Sequence, residues 1–173
     1  NGDSGLYTYT VRDGMGNKPV NYVTWISAVR YANWLTNGRG NGDTESGAYT
    51  IEYGEVKLPD HAALAAGKTA KWVLPSESEW YKAAYYDPNK TGGAGYWLYP
   101  AGSDDAPQAN YNTNAPSDAG AYTGSASPYG TFDQGGNVWE WLETRSGEKV
   151  GLRGGSFFLN DKAEYMRATV RYD

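Results

Sequence analysis

Two carboxylates flank a glycine-rich turn in the segment DQGGNVWE, where Asp133 stands seven residues before Glu140. The carbonyls of Gly136 and Val138 lie between them, and alternate carbonyls of an extended chain point the same way. Calcium in proteins takes about six to eight hard oxygens, carboxylate and carbonyl together, and glycine allows the backbone to close around an ion. The spacing therefore predicts a calcium site at these four residues. The alternative is that Glu140 only caps or hydrogen-bonds the adjacent turn.

Few other side chains could do chemistry. The chain has no cysteine and a single histidine, His61, so thiolate nucleophiles, disulfides and sulfur-ligated metals are excluded. A lone histidine has no partner for a metal site, and we expect His61 at a helix start or on the surface. The charged residues Asp161, Lys162 and Glu164 could do acid–base work, although a solvated polar loop is the simpler interpretation.

Three large side chains near the glycine-rich segment have structural interpretations. Trp139 and Trp141 face the same way if their segment is extended, and we expect them to anchor the core rather than to form a ligand platform. Arg153 lies in the motif RGGS. A guanidinium there is expected to pair with a buried carboxylate or with carbonyls.

The composition predicts a loop-rich domain with many aromatic rings. The chain has 173 residues, enough for one domain with a core, and it contains 16 Tyr, 7 Trp, 23 Gly and 8 Pro. Its net charge of −5 leaves no basic stripe to neutralise a phosphate backbone. No run approaches the roughly 18 apolar residues of a membrane span. We therefore expect no nucleic-acid partner and no membrane span in this chain.

Periodicity and capping patterns predict two helices. The first covers residues 24–37, where Thr24 is a possible N-cap for an apolar run with helical spacing. The second begins after Ser76, because Ser76 and Glu79 have the spacing of a capping box. We expect it to end near Tyr86, before an Asp-Pro pair.

Strand patterns are shorter and more scattered. Alternation or β-rich composition predicts strands around residues 6–11, 48–53, 150–153 and 165–171. Residues 88–135 have almost no periodicity. A run of that length in a compact domain needs docked aromatic rings or a bound ion to hold it.

The chain resembles the sulfatase-modifying-factor family, which contains the formylglycine-generating enzymes and their relatives. Four motifs carry the resemblance in the family's order over about residues 18–171. They are the VTW and NWL elements within residues 19–35, LPSESEW at residues 74–80, YGTFDQGGNVWEW at residues 129–141 and LRGGS at residues 152–156.

This resemblance implies an α+β fold of the C-type-lectin-like type: two helices on short, twisted antiparallel sheets, with long loops fixed by calcium. This implied fold agrees with the two helices, the scattered strands and the long unpatterned middle that the residue patterns predict. We therefore expect a single domain over residues 1–173. The resemblance also indicates that most of the family's N-terminal part is missing here, so we expect a processed chain or a fragment.

The resemblance assigns two calcium sites. In the family, the segment matching residues 133–140 supplies one site through the four positions described above, with Asp133 here in place of an asparagine. A second family site uses an asparagine, the following carbonyl and a downstream aspartate. The matching residues are Asn110 and Tyr111, with Asp118 as the candidate aspartate.

The family's redox chemistry has no matching ligands in this chain. Formylglycine-generating enzymes hold copper with two cysteines after the Gly-Gly-Ser motif, in a segment that corresponds to residues 156–165 and has no cysteine here. Related iron enzymes of the ergothioneine pathway use three histidines. We therefore expect a non-catalytic module that uses calcium only for structure.

Three hypotheses about function follow. The first is an extracellular binding or assembly module that binds a protein partner, a glycan or further copies of itself by strand addition. Secretion is expected because the amino-acid sequence of residues 127–141 resembles that of a subgroup of secreted bacterial proteins with a PEP-CTERM sorting signal. The second is a divergent metal-dependent oxidase. The third is a lectin-like or diversified receptor whose variable ligand face is formed by residues 157–171.

Overall fold

The computed structural model describes residues 10–67, 71–158 and 162–173. This part of the chain forms three α-helices, six short strands and one 3-10 helix. In chain order they are α1 (Trp25–Thr36), β1 (Thr50–Glu52), β2 (Glu55–Lys57), α2 (His61–Ala66), α3 (Glu77–Tyr85), β3 (Tyr86–Asp87), β4 (Gly95–Tyr96), β5 (Glu140–Ser146), β6 (Lys149–Arg153) and the 3-10 helix Ala163–Met166. Each strand pairs antiparallel with its sequence neighbour in a two-stranded sheet. The predicted α+β, loop-rich architecture is confirmed.

Both predicted helices begin where their caps indicated. The Thr24 side chain accepts a hydrogen bond from the Ser27 amide at 3.3 Å. In the capping box of α3, the Ser76 hydroxyl accepts from the Glu79 amide at 3.3 Å, and the Glu79 carboxylate accepts from the Ser76 amide at 2.8 Å. These bonds satisfy orphan amides of the first turn. The short helix α2 was not predicted as a separate element.

The strand predictions have mixed outcomes. β1 lies within the predicted range 48–53, and β6 contains the predicted range 150–153. Residues 6–9 lie outside the described residues, and the two described residues that follow them are irregular. The predicted strand at 165–171 is wrong, because this segment starts in the 3-10 helix and pairs with a strand only at Tyr172.

The reason for the irregular C-terminal segment is the side chain of Arg153. Its Nη1 donates hydrogen bonds to the carbonyls of Ala168 at 3.1 Å and Val170 at 2.6 Å. These carbonyls therefore face a guanidinium instead of a neighbouring strand. Only Tyr172 exchanges backbone hydrogen bonds with β6, through both its amide and its carbonyl to Leu152.

β5 contains a bulge that sequence patterns did not reveal. Trp141 pairs with Leu152 and Arg145 pairs with Val150, so three residues of β5 stand opposite one residue of β6. A bulge breaks the in–out alternation of a strand. As a result, the consecutive residues Leu142 and Glu143 are both buried.

The core lies on both sides of β5. On one side, α1 packs against the segment around β1 through Trp25, Val29 and Tyr49, and Trp141 packs onto this cluster. On the other side, α3 packs against Leu142 through a second buried cluster. Burial of these large side chains is the main stabilising contribution, roughly 1.5–3 kcal/mol for each fully buried one. β5 is therefore the element that both helices share.

The long segment 88–135 is mostly irregular, as predicted, and aromatic rings dock parts of it. The indole of Trp97 donates to the Asp87 carboxylate at 3.0 Å, and the Lys90 ammonium lies 3.9 Å from the Trp97 ring centroid. Such a cation–π contact contributes about 0.5–1 kcal/mol at an exposed site.

In the described part of the chain, no helix combines the length and apolar character needed to cross a bilayer.

Candidate functional site: a glycine-rich turn beside an aromatic groove

The segment 133–140 forms a tight turn that closes onto a buried asparagine. Asp133, Gly136 and Asn137 have left-handed backbone conformations, with φ angles of 60°, 77° and 62°. The Asn137 amide donates to the Asn110 carbonyl at 2.7 Å, and the Gly136 amide donates to the Gly154 carbonyl at 2.7 Å. A Cβ atom on Gly136 would lie 2.6 Å from the Asn110 oxygen. This contact explains why a glycine occupies the position.

The two predicted carboxylate ligands have hydrogen bonds but no cationic partner. One oxygen of Asp133 accepts from the Gly120 amide at 2.6 Å, and one oxygen of Glu140 accepts from the Trp80 indole at 2.5 Å. Neither carboxylate forms an ion pair with any residue in the described ranges. Desolvation raises the pKa of Glu140 to about 7; the Trp80 hydrogen bond opposes this shift, and the charge of Asp133 adds to it. The two negative charges are therefore close enough to repel each other.

The two carbonyls predicted as ligands lie within the same turn. Within the residues that the structure describes, no backbone amide donates a hydrogen bond to the oxygen of Gly136 or Val138. Carboxylates and carbonyls are hard oxygens, which suit calcium better than a soft metal. Bound calcium would offset the repulsion between Asp133 and Glu140 and fix the turn.

Two residues of the second predicted site have protein partners. Asn110 is buried: its amide nitrogen donates to Ala115 at 3.0 Å, and its amide oxygen accepts from Thr113 at 2.6 Å. Asp118 instead forms an exposed ion pair with Lys18 at 3.0 Å. Over the described ranges, no three His, Cys, Asp or Glu side chains converge to hold a metal. Calcium at Asn110, Tyr111 and Asp118 remains a prediction.

An apolar groove adjoins the segment 133–140. It encloses a cavity of about 350 Å³, and Val138, whose carbonyl is a candidate ligand, is part of its wall. Among the described residues, five aromatic rings line the groove: Tyr22, Trp139, Trp141, Phe157 and Phe158. The polar lining side chains of the described ranges come from Asn21 and Ser156, and none of the described lining residues is charged. This chemistry suits an apolar or aromatic group of a ligand.

The two tryptophans anchor the core and also face the groove. Trp141 packs on the α1 cluster and donates its indole hydrogen to the Val23 carbonyl at 3.1 Å. The ring of Trp139 contacts those of Tyr172 and Tyr165, with centroids 4.9 and 6.0 Å apart. Sequence reasoning predicted the anchoring role but missed the groove. The two phenylalanines that follow Ser156 were the available signal.

The remaining charged candidates have structural partners. Arg153 pairs with the Glu77 carboxylate at 2.5 Å and with two carbonyls, as predicted. His61 is the first residue of α2 and contacts two carboxylates. Glu164 lies exposed in the 3-10 helix, which Lys162 precedes. Asp161 lies outside the described residues.

The fold and the groove define a small α+β domain whose long loops build both the segment 133–140 and part of the groove wall. Residues 5–173 match the model of the sulfatase-modifying factor enzyme 1-like domain. The chain therefore belongs to this family, as its motifs indicated.

Relatives with different names share the domain. The chain is 36% identical over 104 residues to the serine/threonine-protein kinase pkn1 of Chlamydia caviae. This match covers 57% of the present chain and 16% of the kinase. It is 30% identical over 131 residues to the hercynine oxygenase of Mycolicibacterium smegmatis, a match that covers 75% of this chain and 22% of the oxygenase. It is 29% identical over 140 residues to the formylglycine-generating enzyme of Thermomonospora curvata, a match that covers 72% of this chain and 33% of that enzyme. The chain thus spans a third or less of each of these relatives.

Solved structures share the fold. Treponema denticola variable protein 1 superimposes with a TM-score of 0.56 at 22% identity, over 96% of this chain and 69% of that one. CarF superimposes with a TM-score of 0.60 at 23% identity, over 93% of this chain and 63% of the CarF chain. Identities this low establish the fold only.

Proposed function

We propose that this chain is a non-catalytic binding module of the sulfatase-modifying-factor family, in which calcium fixes the wall of an aromatic groove that holds an apolar group of a protein partner. The observation that carries the proposal is that Val138 belongs both to the segment 133–140 and to the wall of the groove. Its carbonyl is a candidate calcium ligand, and the residue lines the groove together with Trp139. A cation bound at this segment would fix the backbone at Val138 and so keep that part of the groove wall in place before a ligand binds.

A non-catalytic role is supported by what occupies the family's redox position. The family resemblance would put copper-binding cysteines in the segment after Gly-Gly-Ser, and this chain has Ser156, Phe157 and Phe158 there. Phe157 and Phe158 are groove walls. The single histidine is engaged with Glu79 and Glu143. In the segment where the resemblance would place the copper ligands, this chain therefore has two rings that line the groove.

An extracellular setting is consistent with the proposed donor set. Calcium affinity rises with the number of charged ligands, and sites with few carboxylates work at the sub-millimolar to millimolar calcium of the extracellular medium. The proposed site has two carboxylates, Asp133 and Glu140. We therefore propose that the module acts outside the cell, where such a site would be filled.

Strand addition has limited support as a mode of assembly. The outer edge of β6 is bonded to Tyr172, and Glu143 in β5 donates its amide to the Pro75 carbonyl. The outer strand β2 has three residues, with Glu55 and Lys57 exposed. Short, charged edges discourage pairing with another chain. The groove is therefore the better candidate surface for a partner.

Removing calcium should destabilise the domain. Chelation of the purified chain is expected to lower the thermal midpoint by about 5–10 °C if calcium is present near 100 times its dissociation constant. Glu140→Gln should lose most of this calcium dependence because it removes a charged ligand. Differential scanning calorimetry with and without chelator, together with elemental analysis, measures the effect.

The matched control is Glu164→Gln, which neutralises an exposed carboxylate and should keep the full response to chelation. Absence of calcium in the purified protein, with an unchanged midpoint on chelation, would contradict the site.

Occupancy of the groove can be tested with small probes. N-acetyl-phenylalanine amide should shift the indole N–H signals of Trp139 and Trp141 in NMR spectra, because its ring enters the cavity. Truncating two exposed wall residues, Tyr22→Ala and Phe158→Ala together, should weaken this probe about fivefold or more.

Tyr53→Ala is the matched control, since Tyr53 is fully exposed on the β1–β2 turn outside the groove. N-acetylglucosamine serves as the glycan probe. Shifts with the sugar alone would replace the protein partner by a glycan, and shifts with neither probe would remove the groove as a binding site.

A further inference from the structure

The short helix α2 is docked onto the domain by a polar contact. Its six residues include none that is buried, so apolar packing contributes little to its attachment. Asp60 caps it locally by accepting hydrogen bonds from the amides of Ala62 and Ala63. The side chain that reaches the rest of the domain is His61, the first residue of the helix.

His61 bridges two carboxylates on different elements. Its Nδ1 lies 2.8 Å from a carboxylate oxygen of Glu79 in α3, and its Nε2 lies 2.9 Å from a carboxylate oxygen of Glu143 in β5. Glu143 is only 6% exposed, because the bulge in β5 turns it inward. One imidazole therefore links α2 to both α3 and β5.

The charge state of the imidazole decides whether both contacts are favourable. A neutral imidazole has one N–H, whereas the imidazolium has two. Only the imidazolium is favourable toward both carboxylates: its Nδ1 donates to Glu79, and its charge pairs with Glu143, which Nε2 approaches without hydrogen-bond geometry. In the neutral form, one ring nitrogen would turn its lone pair toward a carboxylate, and the buried Glu143 would lose its cation.

His61 is the cation that pairs with these two carboxylates in the described ranges. In the described part of the chain, Glu79 and Glu143 form ion pairs with His61 and with no lysine or arginine. The other groups facing the cluster are the Ser76 hydroxyl, which bonds Glu79, and the Tyr49 phenol, which interacts with Glu143. Asp60 is the acidic neighbour on the helix itself.

We propose that protonated His61 is a pH-sensitive latch that docks α2 onto α3 and β5, and that its deprotonation releases the helix. Desolvation lowers the pKa of His61. The contacts with Glu79 and Glu143 and their negative charges raise it by more, so the pKa lies above the ordinary value for histidine. A raised pKa means that docking is strongest below about pH 6.5 and weakens as the pH rises through the docked value. Opening would remove the His61 contact from the buried Glu143.

The latch can be followed directly, because the chain contains a single histidine. NMR titration of its imidazole C–H signals should give a pKa above about 6.5, the ordinary value for histidine. Amide protection factors of residues 62–66, corrected for intrinsic exchange, should fall by up to about tenfold per pH unit between the ordinary and the raised pKa. Amides of the β5–β6 hairpin should keep their protection over the same range.

His61→Gln is the test variant, because it has no imidazolium, and its α2 protection should be low and independent of pH. Arg30→Gln, which removes an exposed ion pair with Glu45 on α1, should retain the wild-type profile. A His61 pKa at or below the ordinary value would overturn the proposal. Protection of α2 that stays constant through the titration, measured on the unmodified chain, would overturn it as well.

Discussion

Replacing Arg153 with methionine is expected to lower the free energy of unfolding by about 3–5 kcal/mol, the usual cost of removing one partner from a buried ion pair. Arg153 is 6% exposed, and its guanidinium bonds the Glu77 carboxylate and the carbonyls of Ala168 and Val170. Methionine fills a similar volume but donates no hydrogen bond. Glu77 would keep only the more distant Arg171, at 3.6 Å.

Chemical denaturation of the two proteins measures this loss. The matched control is Arg30→Met, which removes an arginine that pairs with Glu45 at 2.6 Å but has a side chain 42% exposed. Solvent-exposed pairs contribute about 1 kcal/mol or less, so the control should lose little. Equal losses in the two variants would mean that burial of Arg153 does not set its contribution.

Gly136→Ala is expected to destabilise the domain by about 3 kcal/mol or more and to weaken calcium binding. A left-handed conformation costs an L-residue roughly 1–2 kcal/mol, and forcing an extra methyl into packed structure costs typically about 1–3 kcal/mol. The methyl would lie 2.6 Å from the Asn110 oxygen. Because that atom belongs to the backbone, relief requires a shift of the turn that carries Asp133 and Glu140.

Gly147→Ala separates the two costs. Gly147 lies in the β5–β6 turn with a φ of 63°, and a Cβ there would have no atom within 4 Å. It should therefore lose only the conformational contribution, about 1–2 kcal/mol, and keep its calcium response. Denaturation curves and calcium titrations of both variants are compared. A Gly136→Ala protein as stable as Gly147→Ala would show that the turn adapts without strain.

Local signals were the reliable part of the sequence. Thr24 and the Ser76–Glu79 pair act within one helical turn, so their capping bonds depend on neighbours that are already close in the chain. The prediction of Arg153 as a structural guanidinium also succeeded, since a buried arginine must find acceptors wherever it lies. The calcium site predicted at residues 133–140 also comes from a local pattern; it stays a prediction, and the chelation experiment is its test.

Predictions failed where a distant side chain changed the local preference. Residues 165–171 have strand-like composition, but Arg153 binds the carbonyls that a strand would offer to its neighbour. The bulge of β5 hides its alternation, so its pattern did not read as a strand. Neither effect has a signal within the segment concerned.

The amino-acid sequence by itself determined the family, the helix starts, the loop-rich α+β architecture and the loss of the family's cysteine ligands, because these depend on residue identity and on contacts within a few positions. Only the tertiary structure decided that His61 lies between Glu79 and Glu143, that Glu143 is buried, and that Tyr22 joins Phe157 and Phe158 in one groove. These juxtapositions connect residues that are 18 to more than 130 positions apart. They depend on how the helices pack against β5, and no local pattern encodes that packing.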